Sequence, residues 1–319
     1  MSTALSDRDI LRELEPTAER LLNDHLRKAK SWNPHDYVPW DDGRNFAALG
    51  GIDREPGQSG LPGLSGVAQT AMITNLLTED NLPSYHREIS ESFSLDGVRG
   101  TWVGRWTAEE NRHAIVMRDY LVVTRAVDPV LLEQARMAHM TSGFAKPDTG
   151  QVFLRSVAYV TLQELATRIS HRNTGAACEE PIAERMLQRV AADENLHMIF
   201  YRNISAAALD LVPNEALRAN TSVVTRFRMP GLTQPNFRRN AVLLAEHGIY
   251  DLRQHLDVVV RPVLRAWRVF ERTDLTGDGE RARDELHAYL DDLEIRARRF
   301  EEQRERAAAR RAVRAAAAG

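Results

Sequence analysis

Two short segments of the sequence place a glutamate three residues before a histidine. Glu110 and His113 form the first pair, and Glu194 and His197 form the second. Side chains three residues apart lie on the same face of an α-helix, so each pair can offer a carboxylate and an imidazole to one metal ion. The chain contains ten histidines, so one such pair would carry little weight. Two pairs justify a search for further ligands.

Two additional glutamates stand at matching distances from these pairs. Glu79 precedes Glu110 by 31 residues, and Glu164 precedes Glu194 by 30 residues. Each half of the pattern therefore consists of a helix that carries Glu, a connection, and a helix that carries Glu-x-x-His. Four glutamates and two histidines in this order are the ligand set of di-iron and di-manganese carboxylate bundles. Mixed oxygen and nitrogen ligands suit iron or manganese.

The six candidate ligands lie on apolar helix faces. At helical spacing, Glu79 shares a face with Met72, Leu76 and Leu82, and each of the other ligands also lies among apolar residues. A buried carboxylate without a partner is costly, and two divalent cations would balance four carboxylates. The alternative reading makes these residues surface glutamates and ordinary core histidines, but it must explain all four faces at once.

The elements that position these residues are predicted to be helices. Apolar residues recur at helical spacing near 66–92, 106–127, 129–142, 151–171 and 181–211. The sequence therefore predicts an all-α, ferritin-like four-helix bundle with additional flanking helices in a single domain, 1–319. We expect an N-terminal helix and loop over 1–66, the bundle over about 67–211, further helices over 213–275, and a charged C-terminal helix and tail over 279–319. Pro83, four residues after Glu79, predicts a bend or break beside the metal.

Composition narrows the class of protein. Cys178 is the only cysteine, which excludes an internal disulfide and a cysteine-ligated cluster built by this chain alone, so any electrons must come from elsewhere. The net charge of −3 and pI near 6.4 give no reason to expect nucleic-acid binding. No apolar run approaches the length of a membrane span, and we expect a soluble cytoplasmic protein.

Two local runs of basic residues occur in this chain, whose net charge is slightly negative. Lys28 and Lys30 precede Trp32, and they are candidates for docking an acidic partner. The second run belongs to the predicted C-terminal helix and consists of Arg296, Arg298, Arg299, Arg304, Arg306, Arg310, Arg311 and Arg314. Such runs are more commonly solvated helix faces than binding sites.

Four segments together resemble a known family. They are Thr-Glu-Asp-Asn-Leu-Pro at 78–83, Trp-Thr-Ala-Glu-Glu-Asn-Arg-His at 106–113, Gln-Glu-Leu-Ala-Thr-Arg-Ile-Ser-His-Arg-Asn-Thr at 163–174, and Ala-Asp-Glu-Asn-Leu-His at 192–197. The combination resembles the soluble acyl-[acyl-carrier-protein] desaturases of plastids and actinobacteria, and is closer to the actinobacterial branch. The likeness runs from Trp32 to about residue 270.

The resemblance implies a role for each matched position. It implies two irons per chain, one held by Glu79 and His113, the other by Glu164 and His197, with Glu110 and Glu194 bridging them. Three other residues are implied to support them. Thr167 lies beside the oxygen-binding face, Asp193 hydrogen-bonds an iron-ligating histidine, and Trp32 lies on the electron path. Helical register excludes Glu109 and Asp80 as ligands, because adjacent residues point about 100° apart.

The implied reaction is the oxygen-dependent insertion of a cis double bond into an acyl chain on acyl carrier protein. Ferredoxin is the implied electron donor, and a homodimer is the implied assembly. Ala114 and the short region 142–151 depart from the family pattern, so the resemblance does not fix chain-length preference or double-bond position. Other readings remain: a monooxygenase-type hydroxylase, a ferroxidase or iron-storage protein, a radical-generating subunit that would use a tyrosine such as Tyr201, and a helical interaction protein without metal.

Overall fold

The computed structural model describes residues 5–43, 46, 64, 66–142, 152–229, 231, 234 and 236–318, and within these ranges the chain contains helices and no strand. The α-helices are α1 (Asp7–Glu13), α2 (Glu15–Lys28), α3 (Gly66–Asp80), α4 (Leu82–Phe93), α5 (Gly97–Val123), α6 (Pro129–Thr141), α7 (Val152–Cys178), α8 (Pro181–Leu211), α9 (Pro213–Arg226), α10 (Phe237–Glu246), α11 (Leu252–Gln254), α12 (Arg261–Ala266) and α13 (Asp278–Ala318). None of the helices in the described ranges is both long enough and apolar enough to span a membrane.

Four of these helices form the central bundle. Helix α7 packs along α8 and α3, and α5 packs against α3 and α8. The all-α prediction is confirmed. Helix α2 lies outside the four and covers α5 and α8, while α9 packs against α7, α8 and α13. Most of the predicted loop over 33–66 and of the region 142–151 lies outside the described residues.

Helix α5 begins nine residues earlier than the sequence pattern predicts. Its first turns contain Gly97, Gly100 and Gly104, which are poor helix formers and weaken the periodic signal. Gly100 is required by packing, because a Cβ there would lie 1.9 Å from the carbonyl oxygen of Leu95. The glycines thus permit a tight entry into α5, and the helix continues unbroken to the ligand positions.

The predicted break beside Glu79 is present. Helix α3 ends at Asp80, Asn81 precedes the next helix, and Pro83 lies in the first turn of α4. Proline has no N–H to bond the carbonyl of Glu79, so the helix cannot continue through this point. Glu79 therefore lies in the last turn of its helix, with the chain changing course directly after it.

A short connection brings α7 and α8 together at close range. Glu179 adopts a left-handed φ of 52°, and Glu180 caps α8 by accepting hydrogen bonds from the backbone N–H groups of Ile182 at 2.9 Å and Ala183 at 2.7 Å. Gly175 faces Leu187, where a Cβ would lie 3.3 Å from the leucine Cβ. This close approach lets ligands on the two helices share one site.

The charged C-terminal helix is held by ion pairs. Within α13, arginines pair with acids one turn earlier, as Arg296 does with Asp292 and Arg306 with Glu302. Arg304 also reaches Asp251 at 3.0 Å. The outer face of this helix is therefore solvated, while its other face is tied to the body, where Arg253 pairs with Glu294 at 2.9 Å and Glu301 at 3.1 Å.

Candidate metal centre

Six buried side chains from the four bundle helices converge on one point. Each has a relative exposure of 6% or less. Their potential ligand atoms form two groups of four in which every atom lies within 4.8 Å of the others, namely Glu79, Glu110, His113 and Glu194, and Glu110, Glu164, Glu194 and His197. The structure thus brings together all six residues selected from the sequence. Glu110 and Glu194 belong to both groups, which is the arrangement that bridging ligands require.

Several nitrogen and oxygen atoms of this cluster lie close together and make no hydrogen bond. His113 Nδ1 lies 2.9 Å from Glu194 Oε1, and His197 Nδ1 lies 2.6 Å from Glu110 Oε1. Neither nitrogen makes a hydrogen bond within the part of the chain that the structure describes, and the same holds for Glu164 Oε2. Buried polar atoms are normally paired. Their common orientation toward the centre of the cluster therefore fits metal ligands.

The electrostatics of the cluster lead to the same conclusion. Burial, with the neighbouring carboxylates of Glu110 and Glu194, holds the pKa of Glu164 well above its usual range. Burial lowers the pKa of His197, but the surrounding carboxylates, Glu110 first, outweigh it and raise that pKa well above the usual value. The metal-free cluster thus takes up protons to offset its charge. Two divalent cations would replace those protons and neutralise four carboxylates, so the residues fit a divalent metal centre.

The outward face of His113 meets a charged and aromatic layer. His113 Nε2 faces Asp193 Oδ2 at 3.6 Å, and Trp32 donates Nε1 to the same oxygen at 2.7 Å. The Arg112 guanidinium lies 4.9 Å above the Trp32 ring and donates to Asp193 at 3.3 Å. Asp193 thus bonds the Trp32 indole directly and faces His113 across a gap longer than a hydrogen bond.

The outward face of His197 has a matching arrangement that the sequence reasoning missed. Glu109 Oε2 lies 2.9 Å from His197 Nε2 and 2.8 Å from His25 Nε2, and Arg105 pairs with the other carboxylate oxygen. These separations are those of hydrogen bonds, and Glu109 Oε2 is shared between the two imidazoles. One signal was available, because Glu109 precedes Glu110 just as Asp193 precedes Glu194.

Three further side chains hold or flank the candidate ligands. His171 Nε2 lies 2.9 Å from Glu79 Oε1, and Trp106 donates Nε1 to Glu164 Oε1 at 3.0 Å. Neither was singled out from the sequence as a partner. Thr167 donates its hydroxyl to Glu194 Oε2, which places it at the edge of the cluster.

Asp80 follows Glu79 in the chain but points elsewhere. It pairs with Arg136 of α6, with Asp80 Oδ1 3.2 Å from the Arg136 Nη2 atom. The helical register that excluded Asp80 as a ligand agrees with this position. Lys28 and Lys30 are exposed, and neither lines a cavity in the described part of the chain.

Two cavities adjoin the cluster. The larger has a volume of about 180 Å³, is mainly apolar, and includes Tyr85, Ile89, Trp106, Val160 and Phe227 in its wall. Trp106, which forms part of this wall, is the residue that bonds Glu164. The smaller, of about 80 Å³, is lined in part by Glu79, Thr167 and Met229. Both cavities therefore reach side chains that contact the candidate metal centre.

Comparison with known proteins decides the family. The family model described as fatty acid desaturase matches residues 6–317. The acyl-[acyl-carrier-protein] desaturase DesA1 of Mycobacterium tuberculosis is 55% identical over 312 residues, covering 96% of this chain and 91% of that protein. This chain belongs to the acyl-[acyl-carrier-protein] desaturase family.

Two further members of this desaturase family show lower identity. The chloroplastic stearoyl-[acyl-carrier-protein] 9-desaturase 5 of Oryza sativa subsp. japonica is 29% identical over 316 residues, or 92% of this chain and 78% of that protein. The X-ray structure of the acyl-ACP desaturase DesA2 of M. tuberculosis H37Rv superposes with a TM-score of 0.63 and 32% identity, covering 81% of this chain and 94% of that chain. The ferritin-like helical fold predicted for this desaturase is confirmed.

Proposed function

We propose that this chain is an oxygen-dependent di-iron desaturase that introduces a cis double bond into an acyl chain carried on acyl carrier protein. The observation that carries the proposal is the pair of buried four-donor groups, sharing Glu110 and Glu194, beside an apolar cavity. The names of the relatives support acyl carrier protein as the substrate carrier.

The ligands are proposed as the geometry groups them: Glu79 and His113 for one iron, Glu164 and His197 for the other, and Glu110 and Glu194 between them. When bound, the two irons supply the activation of molecular oxygen that an unactivated C–H bond requires. Glu109 bonds the outward nitrogen of His197, and Asp193 faces that of His113 at 3.6 Å. Thr167 offers a hydroxyl proton at Glu194 Oε2.

The larger cavity is the proposed slot for the acyl chain. Its apolar wall excludes water and holds two adjacent methylenes near Trp106, whose indole contacts the ligand Glu164. The overall reaction removes one hydrogen from each methylene and combines them with O₂, two electrons and two protons, giving a double bond and two waters.

The two electrons are proposed to come from ferredoxin, because a chain with one cysteine cannot bind its own iron–sulfur cluster. Trp32 and Asp193 form the proposed path to His113. A homodimer, a cytoplasmic location and docking of the carrier protein at Lys28 and Lys30 stay predictions.

Mass spectrometry of the acyl carrier protein tests the function. We expect stearoyl-acyl carrier protein to become lighter by two hydrogens after incubation with the iron-loaded enzyme, oxygen, ferredoxin and ferredoxin reductase. The Glu110→Ala variant is the control that lacks a bridging ligand. A product heavier by one oxygen atom would identify a hydroxylase instead. Oxidation and retention of many irons, with unchanged substrate, would identify a ferroxidase or storage protein.

A further inference from the structure

One short piece of chain outside the bundle bonds the outer carboxylate in each half of the site. His25, near the end of α2, places Nε2 2.8 Å from Glu109 Oε2. Trp32, seven residues later, donates Nε1 to Asp193 Oδ2 at 2.7 Å. The segment 25–32 therefore contacts both carboxylates that face the two candidate ligand histidines.

Packing alone does not account for the imidazole of His25. Its exposure is 4%, and the other inward residues of α2 include Leu21 and Leu22. Its ring packs edge-on against Trp102 at 5.1 Å, a contact that an apolar ring would also make. His25 Nδ1 has no hydrogen-bond partner among the described residues, which is a cost in a buried position. The imidazole therefore serves the interaction made by its other nitrogen.

The geometry around Glu109 shows what that interaction does. Glu109 Oε2 receives both His25 Nε2 and, at 2.9 Å, His197 Nε2. A carboxylate oxygen only accepts, so His197 donates from Nε2, and the neutral ring then presents the lone pair of Nδ1 to Glu110 and Glu164. The two imidazole rings lie nearly parallel, with centroids 5.8 Å apart and an angle of 22°. A shift of the shared carboxylate would therefore turn the ligand ring.

We propose that His25 is a positioning residue for one of the two metals: it holds Glu109 where that carboxylate orients His197. The metal bound by Glu79 and His113 lies on the side of the site that Trp32 contacts, so His25 does not act on it. This inference rests on the proposed di-iron function, because it assigns His25 to one iron of the pair.

The test is anaerobic binding of ferrous iron to metal-free protein, without substrate or oxygen, followed by Mössbauer spectroscopy. His25→Phe fills the space but removes the donor, and we expect one of the two irons to bind roughly 10–100-fold more weakly, with its spectrum alone altered. His25→Gln keeps an N–H at a similar position, and we expect it to restore most of the affinity. Leu22→Ala, on the same buried face of α2, is the matched control and should lower stability without changing either iron.

Two results would overturn the inference. One is a His25→Phe protein that binds both irons with wild-type affinity and spectra, and the other is an equal change at both irons. If His25→Phe does not fold, His25→Met, of similar length and without a donor, replaces it in the comparison with His25→Gln. A wild-type protein that binds two irons yet desaturates nothing would refute the proposed function alone, whereas one that binds no iron would refute both.

Discussion

Replacing Glu164 by glutamine should stabilise the metal-free protein and weaken its metal-loaded form. Glu164 is 1% exposed, and burial with its carboxylate neighbours raises its pKa. Glutamine has nearly the same shape, and its oxygen can still accept the hydrogen bond that Trp106 Nε1 donates at 3.0 Å. The substitution therefore removes a charge and a metal ligand while it keeps the packing.

The magnitude follows from the spacing of the carboxylates. Ligand oxygens of Glu110, Glu164 and Glu194 lie within 4.8 Å of one another. Two unit charges at that distance repel by about 3.5 kcal/mol at an effective dielectric constant of about 20, or roughly 7 kcal/mol for two neighbours. Proton uptake and the His197 imidazole, 3.5 Å away, offset most of this repulsion. We expect the metal-free variant to gain about 2 kcal/mol in free energy of unfolding.

Urea unfolding of chelator-treated and iron-loaded protein measures both effects. Ligand at 100 times its Kd stabilises the native state by about 2.7 kcal/mol, and the variant should lose most of this gain. The stability advantage of the variant over wild type should therefore largely disappear when iron is added. Glu180→Gln is the control, because it weakens the cap of α8 and should cost about 1 kcal/mol in both forms.

A metal-free Glu164→Gln protein that is less stable than wild type would refute the reasoning. That outcome would mean that the carboxylate is held by ordinary structural contacts, with Trp106 as the main partner. An unchanged gain from iron would show that Glu164 is not a ligand.

Asp193→Asn removes the charge facing His113 Nε2, and competition with a chelator should show iron binding weakened by roughly 10–100-fold; wild-type affinity would contradict this. Ser156→Phe should fill the cavity beside Trp106 and lower acyl turnover by about 100-fold in the mass-spectrometric assay with iron content unchanged, whereas undiminished turnover would place the acyl chain elsewhere. Burial and a neighbouring carboxylate raise the pKa of Glu110, so protons compete with iron for it. Calorimetry in buffers of different ionisation enthalpy should show proton release on binding and an affinity that falls as pH falls through the raised pKa; pH-independent binding would contradict this.

Local periodicity was enough to predict the inner part of the site. Each ligand is one member of a regular apolar face, and helix geometry makes residues three or four apart share that face. The break at Pro83 and the start of α8 at Pro181 could also be predicted from the sequence. Proline determines backbone geometry and hydrogen bonding at its own position, so its effect is local. These features depend on neighbours in the chain.

The outer part of the site depends on contacts between distant segments. Helix α5 buries more than one face, so Glu109 points away from the metals and still contacts His197, 88 residues later. His25 reaches Glu109 across 84 residues. A pattern that assigns one inward face to each helix treats Glu109 as peripheral. The start of α5 was missed because Gly100 is required by its close contact with Leu95, which no local propensity reveals.

The two Glu-x-x-His helices serve each other's histidines. Glu109 of α5 supports His197 of α8, while Asp193 of α8 faces His113 of α5. Half of the bundle alone would leave its histidine without a supporting acid, and the exchange relates the two halves by an approximate two-fold pattern. The segment 25–32 occurs once and cannot obey that two-fold relation. It places an imidazole on one side and an indole on the other, so the symmetry is broken and the surroundings of His197 and His113 differ chemically.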